Sequence, residues 1–213
     1  MATHQTPQPP HTHGPDGAPG FGIPGTGSRS GAGAGAGTRP VVYLLGAAAP
    51  PVRDIASVVE LLQADGWDVC LGLTRTAAEW LAPYLPGLEA LTGHPVRSRF
   101  GLPGEPDPWP EPDVVLLAPL TFHSLNAWAL GLGGDFVTGY AALALGGGVP
   151  LVAAPCADPR VTAHPQWERS TGRLRQAGVH LLLDDARPAP WDAAAFPWDA
   201  ALAAARRALP GAP

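Results

Sequence analysis

Short apolar runs alternate with helical patterns along most of this chain. The apolar runs occupy residues 41–45, 68–73, 114–118, 150–154 and 179–183. Between them, apolar residues recur mostly at the spacing of a helix. Strands that alternate with helices form parallel βαβ units, and near-continuous apolar strands are typical of a sheet covered on both faces. The pattern therefore predicts an α/β protein with a three-layer, doubly wound parallel sheet of Rossmann-like type.

The same patterns predict the other elements. Helical spacing is found at residues 52–65, 77–91 (with a break near 83–87), 122–132, 135–145, 162–177 and 196–209. Residues 93–112 are rich in proline and show little periodicity. This stretch is predicted to form an irregular connection with one short strand near residues 96–100.

Residues 1–38 differ in composition from the rest of the chain. They consist mainly of Gly, Pro, Thr, Ser and Ala, and after the first Met only Phe21 and Ile23 are large and apolar. Such a segment cannot bury enough surface to offset the entropy of ordering it, so a disordered tail is predicted. Residues 39–213 are long enough for one well-packed core and are predicted to form a single domain.

Charge and hydropathy bear on the partners of the chain. The 13 Lys and Arg residues and 18 Asp and Glu residues give a net charge of -5, which offers no attraction to nucleic acid or to an anionic membrane. No apolar run approaches the roughly 20 residues that a membrane-spanning helix needs, and no secretory signal is recognisable. We therefore expect a cytoplasmic protein with no nucleic-acid or membrane partner. Two cysteines, Cys70 and Cys156, do not make a disulfide scaffold.

Small and hydroxyl-bearing residues follow three predicted strands, in loops 46–49, 74–76 and 119–124. The carboxyl ends of parallel strands meet at one edge, where open α/β sheets bind ligands. A helical pattern starts after Thr121, and the first turn of a helix offers N–H groups and a positive dipole end that suit a phosphate. Thr121 and Ser124 are expected to add hydroxyl donors. The alternative is an ordinary helix cap, which needs only one Ser or Thr.

Several well-defined motifs are absent from the sequence. No GxGxxG follows the first strand, and no GxxxxGK[ST] is present, so neither a dinucleotide fingerprint nor a P-loop is predicted. No HExxH or CxxC spacing indicates a metal site, and no GxSxG indicates a nucleophile elbow. The predicted pocket is one for a phosphate and a ring, with no metal.

Five stretches of the sequence share a pattern with a known family: residues 45–48, 73–77, 113–125, 135–138 and 149–155. Together they resemble the family of FMN-binding cysteine decarboxylases, which includes phosphopantothenoylcysteine decarboxylase and the lantibiotic decarboxylases. The flavin prenyltransferases are more distant relatives. The resemblance covers roughly residues 40–184, and within the family these stretches are most similar to an actinobacterial branch.

The resemblance implies that residues 39–213 form a flavoprotein domain that binds FMN. The phosphate would lie against loop 46–49 and the hydroxyls of Thr121 and Ser124, and residues 135–138 would cover the flavin ring. The implied cofactor-binding residues are Gly46, Ala47, Ala48, Thr74, Thr76, Pro119, Leu120, Thr121, Ser124, Asp135 and Val137. The family also implies a homotrimer or a larger homo-oligomer.

The chain departs from the family at three positions that are catalytic candidates. Ser98 stands where the family has its catalytic His, and a hydroxyl does not take a proton near neutral pH as an imidazole does. His94 is a nearby substitute or a surface histidine. His123 stands where the family has an Asn that binds the substrate carboxylate. It is expected either to bind this carboxylate or simply to cap the pocket. Asp158 replaces an amide and is also an ordinary turn residue. Cys156 is either reactive or a small buried residue.

The resemblance implies an FMN-dependent lyase or oxidoreductase that decarboxylates a cysteine-type, peptide or small carboxylate substrate. A non-catalytic FMN-binding regulatory protein is the first alternative, because the family's His and Asn are both replaced. A flavin prenyltransferase is the second alternative. That reaction needs a cluster of basic residues for a prenyl phosphate, and the arginines here are scattered.

Overall fold

Five parallel strands form the central sheet of the structure, a computed structural model that describes residues 39–184 and 187–211. The strands are β1 (Val41–Gly46), β2 (Asp68–Leu73), β3 (Val114–Leu120), β4 (Leu151–Pro155) and β5 (His180–Leu181). Their order in the sheet is β2-β1-β3-β4-β5. This order is that of the flavodoxin-like fold, in which the chain changes direction across the sheet between β1 and β3. The predicted α/β class and parallel sheet are confirmed.

Eight helices flank the sheet within the described residues. They are α1 (Ile55–Ala64), α2 (Arg75–Trp80), α3 (Leu85–Thr92), α4 (Phe122–Ala129), α5 (Phe136–Gly146), α6 (Pro159–Thr162), α7 (Pro165–Gln176) and α8 (Trp198–Ala208). Short 3-10 turns precede α1 at Pro50–Asp54 and separate α2 from α3 at Ala82–Tyr84. The helix predicted over residues 77–91 is therefore interrupted, as expected.

Two hydrophobic cores lie on opposite faces of the sheet. Successive residues of a strand point to opposite faces, and β1 shows this alternation. Val42 and Leu44 pack with α1, α3 and α8, whereas Tyr43 and Leu45 pack with α4, α5 and α7. All four side chains are fully or almost fully buried. Burial on both faces explains why the strands read as continuous apolar runs, and it makes the fold three-layered.

The short strand predicted near residues 96–100 is wrong. Only Arg97 pairs with the sheet, through one parallel bridge to Gly72. The Arg97 N–H donates to Leu71 O at 3.1 Å, and the Leu73 N–H donates to Arg97 O at 2.8 Å. Prolines recur on both sides of this segment, and proline cannot donate a ladder hydrogen bond. The chain therefore leaves the sheet after one residue of pairing.

Two predicted boundaries also differ from the structure. The last strand, expected over residues 179–183, is the two-residue β5. Helix α4 ends at Ala129 instead of near residue 132, because Gly131 adopts a left-handed conformation with a φ of 74°. Neither difference changes the order of the elements.

Five aromatic rings pack between the sheet and α5, and we refer to them as the aromatic cluster. Its members are Tyr43, Phe100, Trp109, Phe136 and Tyr140. The Arg97 guanidinium lies 5.0 Å from the ring centroid of Trp109 and 4.9 Å from that of Phe136. Its Nη1 also pairs with Asp107 at 2.7 Å. These contacts pin the proline-rich connection against the edge strand β2 and against α5.

Candidate functional site

A cavity of about 560 Å³ opens at the carboxyl ends of the strands, where the strand order changes between β1 and β3. The loops after β1, β2, β3 and β4 all contribute to it. Its lining residues are Ala48, Thr74, Thr76, Thr121, Phe122, His123, Ser124, Asp135, Ala157, Asp158, Val161 and Trp191. The cavity thus brings together residues from distant parts of the chain. Ala48 and Trp191, which both line it, are 143 positions apart in the sequence.

The loops after β1, β2 and β3 are tied to one another by backbone hydrogen bonds. The Ala47 N–H donates to Pro119 O at 2.9 Å, and the Thr74 N–H donates to Gly46 O at 2.9 Å. A side chain at Gly46 would lie 3.2 Å from Val52, which is closer than most carbon contacts. Small residues are therefore required here because the neighbouring loops approach closely. Gly46 and Ala47 are buried beneath the cavity loops and contribute no side chain to the cavity lining.

The amino terminus of α4 faces the cavity with a hydroxyl donor. Thr121 is the N-cap, and its Oγ1 accepts from the Ser124 N–H at 3.2 Å. The hydroxyl oxygens of Thr121 and Ser124 also lie within hydrogen-bonding distance of each other, 3.0 Å apart. Both residues line the cavity, so the amino terminus of α4 presents two hydroxyls there, each able to donate or to accept.

Thr74 caps α2 in the same manner, since its Oγ1 accepts from the Ala77 N–H at 3.3 Å. Thr76 lies in the first turn of α2 and lines the cavity. Threonine hydroxyls can donate as well as accept, so this wall offers polar contacts without a net charge.

Both carboxylates in the lining are used as helix caps. Asp135 begins α5, where Oδ1 accepts from the Thr138 N–H at 3.1 Å and Oδ2 accepts from the Thr138 hydroxyl at 2.8 Å. Asp158 begins α6, where Oδ1 accepts from the Arg160 N–H at 2.8 Å. Each carboxylate is therefore satisfied by its own helix and does not need a ligand.

Asp158 is also paired with a charged side chain. The Arg160 guanidinium donates to Oδ1 at 2.9 Å and to Oδ2 at 2.5 Å. These hydrogen bonds lower the pKa of Asp158 to about 2. A carboxylate with such a pKa is a weak base, and it holds no proton to give at neutral pH. The turn interpretation of Asp158 therefore has more support than a catalytic one.

Of the other residues predicted for the site, four lie outside the cavity lining and one, His123, belongs to it. Pro119, Leu120 and Val137 are buried in the sheet or in α5 and serve the core. Ser98 follows the Arg97 bridge and is not among the residues that line the cavity. His123 does line it, with an exposed side chain in the first turn of α4.

Two further residues considered in the sequence are bound elsewhere. His94 Nε2 lies 2.8 Å from Asp68 Oδ1, at the opposite edge of the sheet from the cavity. Cys156 is buried, and its Sγ donates to Pro190 O at 3.1 Å. Burial raises the pKa of this thiol to about 11. Cys156 is therefore a protonated structural residue at neutral pH.

Sequence reasoning did not select four of the lining residues, namely Phe122, Ala157, Val161 and Trp191. Phe122 lies between two predicted site residues, and Ala157 follows β4. Both residues could have been selected, because the carboxyl ends of parallel strands form the site in this type of sheet. Val161 and Trp191 carry no such signal, because only tertiary folding brings α6 and the segment after β5 to the cavity.

No protein-family model and no curated protein matches this chain. Solved structures do. The FMN-dependent cysteine decarboxylase TvaF from thioviridamide biosynthesis is 20% identical, with a TM-score of 0.62, over 81% of this chain and 99% of that chain. The cypemycin decarboxylase CypD is 18% identical, with a TM-score of 0.62, over 79% of this chain and 92% of that chain.

A third structure is AnUbiX (PadA1), solved in complex with FMN and dimethylallyl pyrophosphate. It is 15% identical, with a TM-score of 0.55, over 68% of this chain and 77% of that chain. This chain has the fold that these FMN-dependent decarboxylases and AnUbiX share, as the sequence resemblance implies. In the part of the chain that the structure describes, none of the helices has the length and apolar character that crossing a membrane requires.

Proposed function

We propose that this chain is an FMN-binding flavoprotein that acts as an oxidative decarboxylase on a cysteine-type or small carboxylate substrate. The observation that carries the proposal is the cavity at the β1/β3 switch point, lined by the amino terminus of α4 with its Thr121 and Ser124 hydroxyls. FMN binds at this point of the sheet in flavodoxin-like folds. The solved structures with the same fold include FMN-dependent decarboxylases.

The lining residues fit FMN in size and in chemistry. The cavity volume falls within the range of about 300–1,000 Å³ that is typical of small-molecule sites. No Arg is among the described lining residues, and the chain contains no Lys. A phosphate would therefore be held by neutral donors: the first N–H groups of α4, their dipole and Ser124. Thr74 and Thr76, on the β2 side of the cavity, would contact the phosphate end of the ribityl chain with neutral hydroxyls.

The chemistry divides between the flavin and the protein. Bound FMN would supply the oxidation of the substrate, and the protein would supply binding and orientation. His123 is the lining residue whose side-chain type exchanges a proton near neutral pH. We assign to it the binding of the substrate carboxylate or the handling of a proton, and Asp158 and Ser98 are the weaker catalytic candidates for the reasons given above.

A non-catalytic FMN-binding protein is the second candidate function. Its support is that Ser98, at the position of the family's catalytic His, does not line the cavity. A prenyltransferase is less favoured, because Arg97 is engaged with Asp107 and Arg160 with Asp158. We further propose a cytoplasmic homotrimer or larger homo-oligomer, with a small-molecule or peptide substrate.

An absorbance spectrum of the purified protein, followed by acid release and titration with FMN, tests the proposal. We expect a flavin spectrum, or uptake of added FMN. Ser124→Ala should weaken FMN binding about tenfold to 150-fold, because a hydrogen bond to a charged group contributes about 1.5–3 kcal/mol. Ser170→Ala is the matched control, since Ser170 is a buried serine on α7 outside the cavity.

Anaerobic addition of cysteine-containing carboxylates separates the two candidate functions. Bleaching of the bound flavin with release of CO₂ supports the decarboxylase. A flavin that stays oxidised with every such substrate supports the binding protein. A colourless protein that takes up no FMN contradicts both.

A further inference from the structure

The segment after β5 is attached to the end of β4 and carries an aromatic side chain into the cavity. The Ala189 N–H donates to Pro155 O at 2.9 Å, and the Ala157 N–H donates to Ala189 O at 3.1 Å. The Cys156 thiol adds a third bond, to Pro190 O. Three bonds to consecutive residues of one strand end hold this backbone in a defined position. The next residue is Trp191, which lines the cavity.

The indole of Trp191 differs from the other aromatic residues near the site. Trp191 is 45% exposed, whereas Trp109 is 5% exposed and its Nε1 donates to Pro95 O at 2.9 Å. Phe122, on the same lining, packs on Trp167 with ring centroids 6.3 Å apart. Among the ring pairs found in the described part of the chain, none includes Trp191. A large apolar ring is therefore held at the cavity with its surface unburied.

Trp191 also lies at a different part of the lining from the phosphate-type donors. Ser124 and Thr74 follow β3 and β2, whereas Trp191 is anchored beside β4. A ligand with an anionic end at the α4 terminus and a planar end toward β4 would meet the indole with its planar end. Because the anchoring bonds already order the backbone, such a contact does not require ordering of the loop.

We propose that Trp191 is a ligand-contacting residue that stacks on the flavin ring of bound FMN. This inference rests on the proposed function, which supplies the ring. Stacking between aromatic rings adds about 0.5–1.5 kcal/mol beyond the burial of area. The indole is electron-rich, so at van der Waals contact it quenches flavin fluorescence, which a phenyl ring does not.

The test measures the fluorescence of protein-bound FMN and its dissociation constant in the full-length wild type, Trp191→Ala, Trp191→Phe and Trp80→Ala. Trp80 is the matched control, because it is 43% exposed and outside the cavity. Trp191→Ala should bind FMN about threefold to tenfold more weakly. Both Trp191 variants should show bound flavin at least several times brighter than the wild type, and Trp80→Ala should match the wild type.

Trp191→Phe keeps an aromatic wall, so it retains most of the affinity and still loses the quenching. This variant separates stacking from simple loss of folding. Wild-type binding of FMN with equal brightness and equal affinity in all variants overturns the role of Trp191 and leaves the proposed function intact. Absence of FMN binding by the wild type overturns both.

Discussion

Asp158 illustrates, at the scale of one residue, how a group at the expected position can have a different task. The sequence places a carboxylate beside the cavity, and the structure shows both of its oxygens bonded to Arg160. A backbone N–H and a guanidinium are available within two residues, so the local turn satisfies the charge before any ligand arrives. His123, one residue into the first turn of α4, has no such local partner among the described hydrogen bonds and remains directed to the cavity lining.

The lowered pKa of Asp158 predicts a pH dependence of stability. Its folded pKa of about 2 lies below the ordinary value of 3.8. The pairing with Arg160 therefore stabilises the fold fully above about pH 5 and is lost as the pH falls through 4 toward 2. Asp158→Asn keeps a capping side chain without the charge. The melting temperature of the wild type should exceed that of Asp158→Asn at neutral pH, and the difference should close between about pH 4 and pH 2.

Asp54→Asn is the control for this prediction. Asp54 is the N-cap position of α1, but its side chain makes no capping hydrogen bond. Its substitution should change the melting temperature little at any of these pH values. A difference for Asp158→Asn that persists unchanged to pH 2 would contradict the assignment of the charged pair.

At the scale of an element, β2 shows how packing demands a residue that strand propensity disfavours. Glycine weakens a strand, yet Gly72 lies inside β2. A β-carbon there would lie 2.5 Å from Leu45 Cδ2 and 2.9 Å from Phe136 Cε1. The close approach of the aromatic cluster to β2 therefore depends on this glycine, and so does the position of α5, which begins at the cavity.

Gly72→Ala should destabilise the protein by about 1–3 kcal/mol, the usual cost of overpacking a core. The free energy of unfolding, from urea titration followed by circular dichroism, measures this. Gly87→Ala is the matched control, because a β-carbon at Gly87 meets nothing within 4 Å in α3. That substitution should raise stability by about 0.5–1 kcal/mol, since alanine is the better helix former. Equal effects at both positions would contradict the packing argument.

Several elements could be predicted from the sequence because their signals are local. The strands, the interruption between α2 and α3 and the start of α4 after Thr121 follow from periodicity and capping. The strand predicted over residues 96–100 was wrong. Alternating apolar and polar residues occur in strands and also in segments that only cross the edge of a sheet, so the pattern does not distinguish the two. The bridge at Arg97 is set by Asp107 and the aromatic cluster, which are distant in position and carry no periodic signal.

At the scale of the whole molecule, helices cover both faces of the sheet in the described part of the chain, residues 39–184 and 187–211. The buried side chains described there belong to the strands, to the flanking helices and to their loops. The predicted tail, residues 1–38, lies outside the described residues. Its composition offers only Phe21 and Ile23 as large apolar residues after the first Met. We therefore propose that the tail contributes nothing to the stability of the core.

A chain that begins at residue 39 should have the same melting temperature as the full chain, within about 2 °C, and the same affinity for FMN, because single-domain stability comes from buried apolar area. Differential scanning calorimetry and FMN titration of the two chains check this. A chain that begins at residue 48 is the control that should fail to fold, since it lacks β1 at the centre of the sheet. A marked loss of stability on removing residues 1–38 alone would contradict the domain boundary.

The sequence by itself determined the α/β class, the parallel sheet and the edge of the sheet at which the cavity opens. These follow from patterns within a few residues: apolar runs, helical spacing and hydroxyl caps at strand ends. Only the tertiary structure decided that Thr121 and Ser124 share one wall of the cavity with Thr74 and Asp135, that Asp158 is paired with Arg160, and that Ser98 lies outside the cavity lining. It also brought Trp191 to the site. The physical reason is that side-chain partners and cavity walls are set by contacts between distant segments, and such contacts leave no periodic trace in the chain.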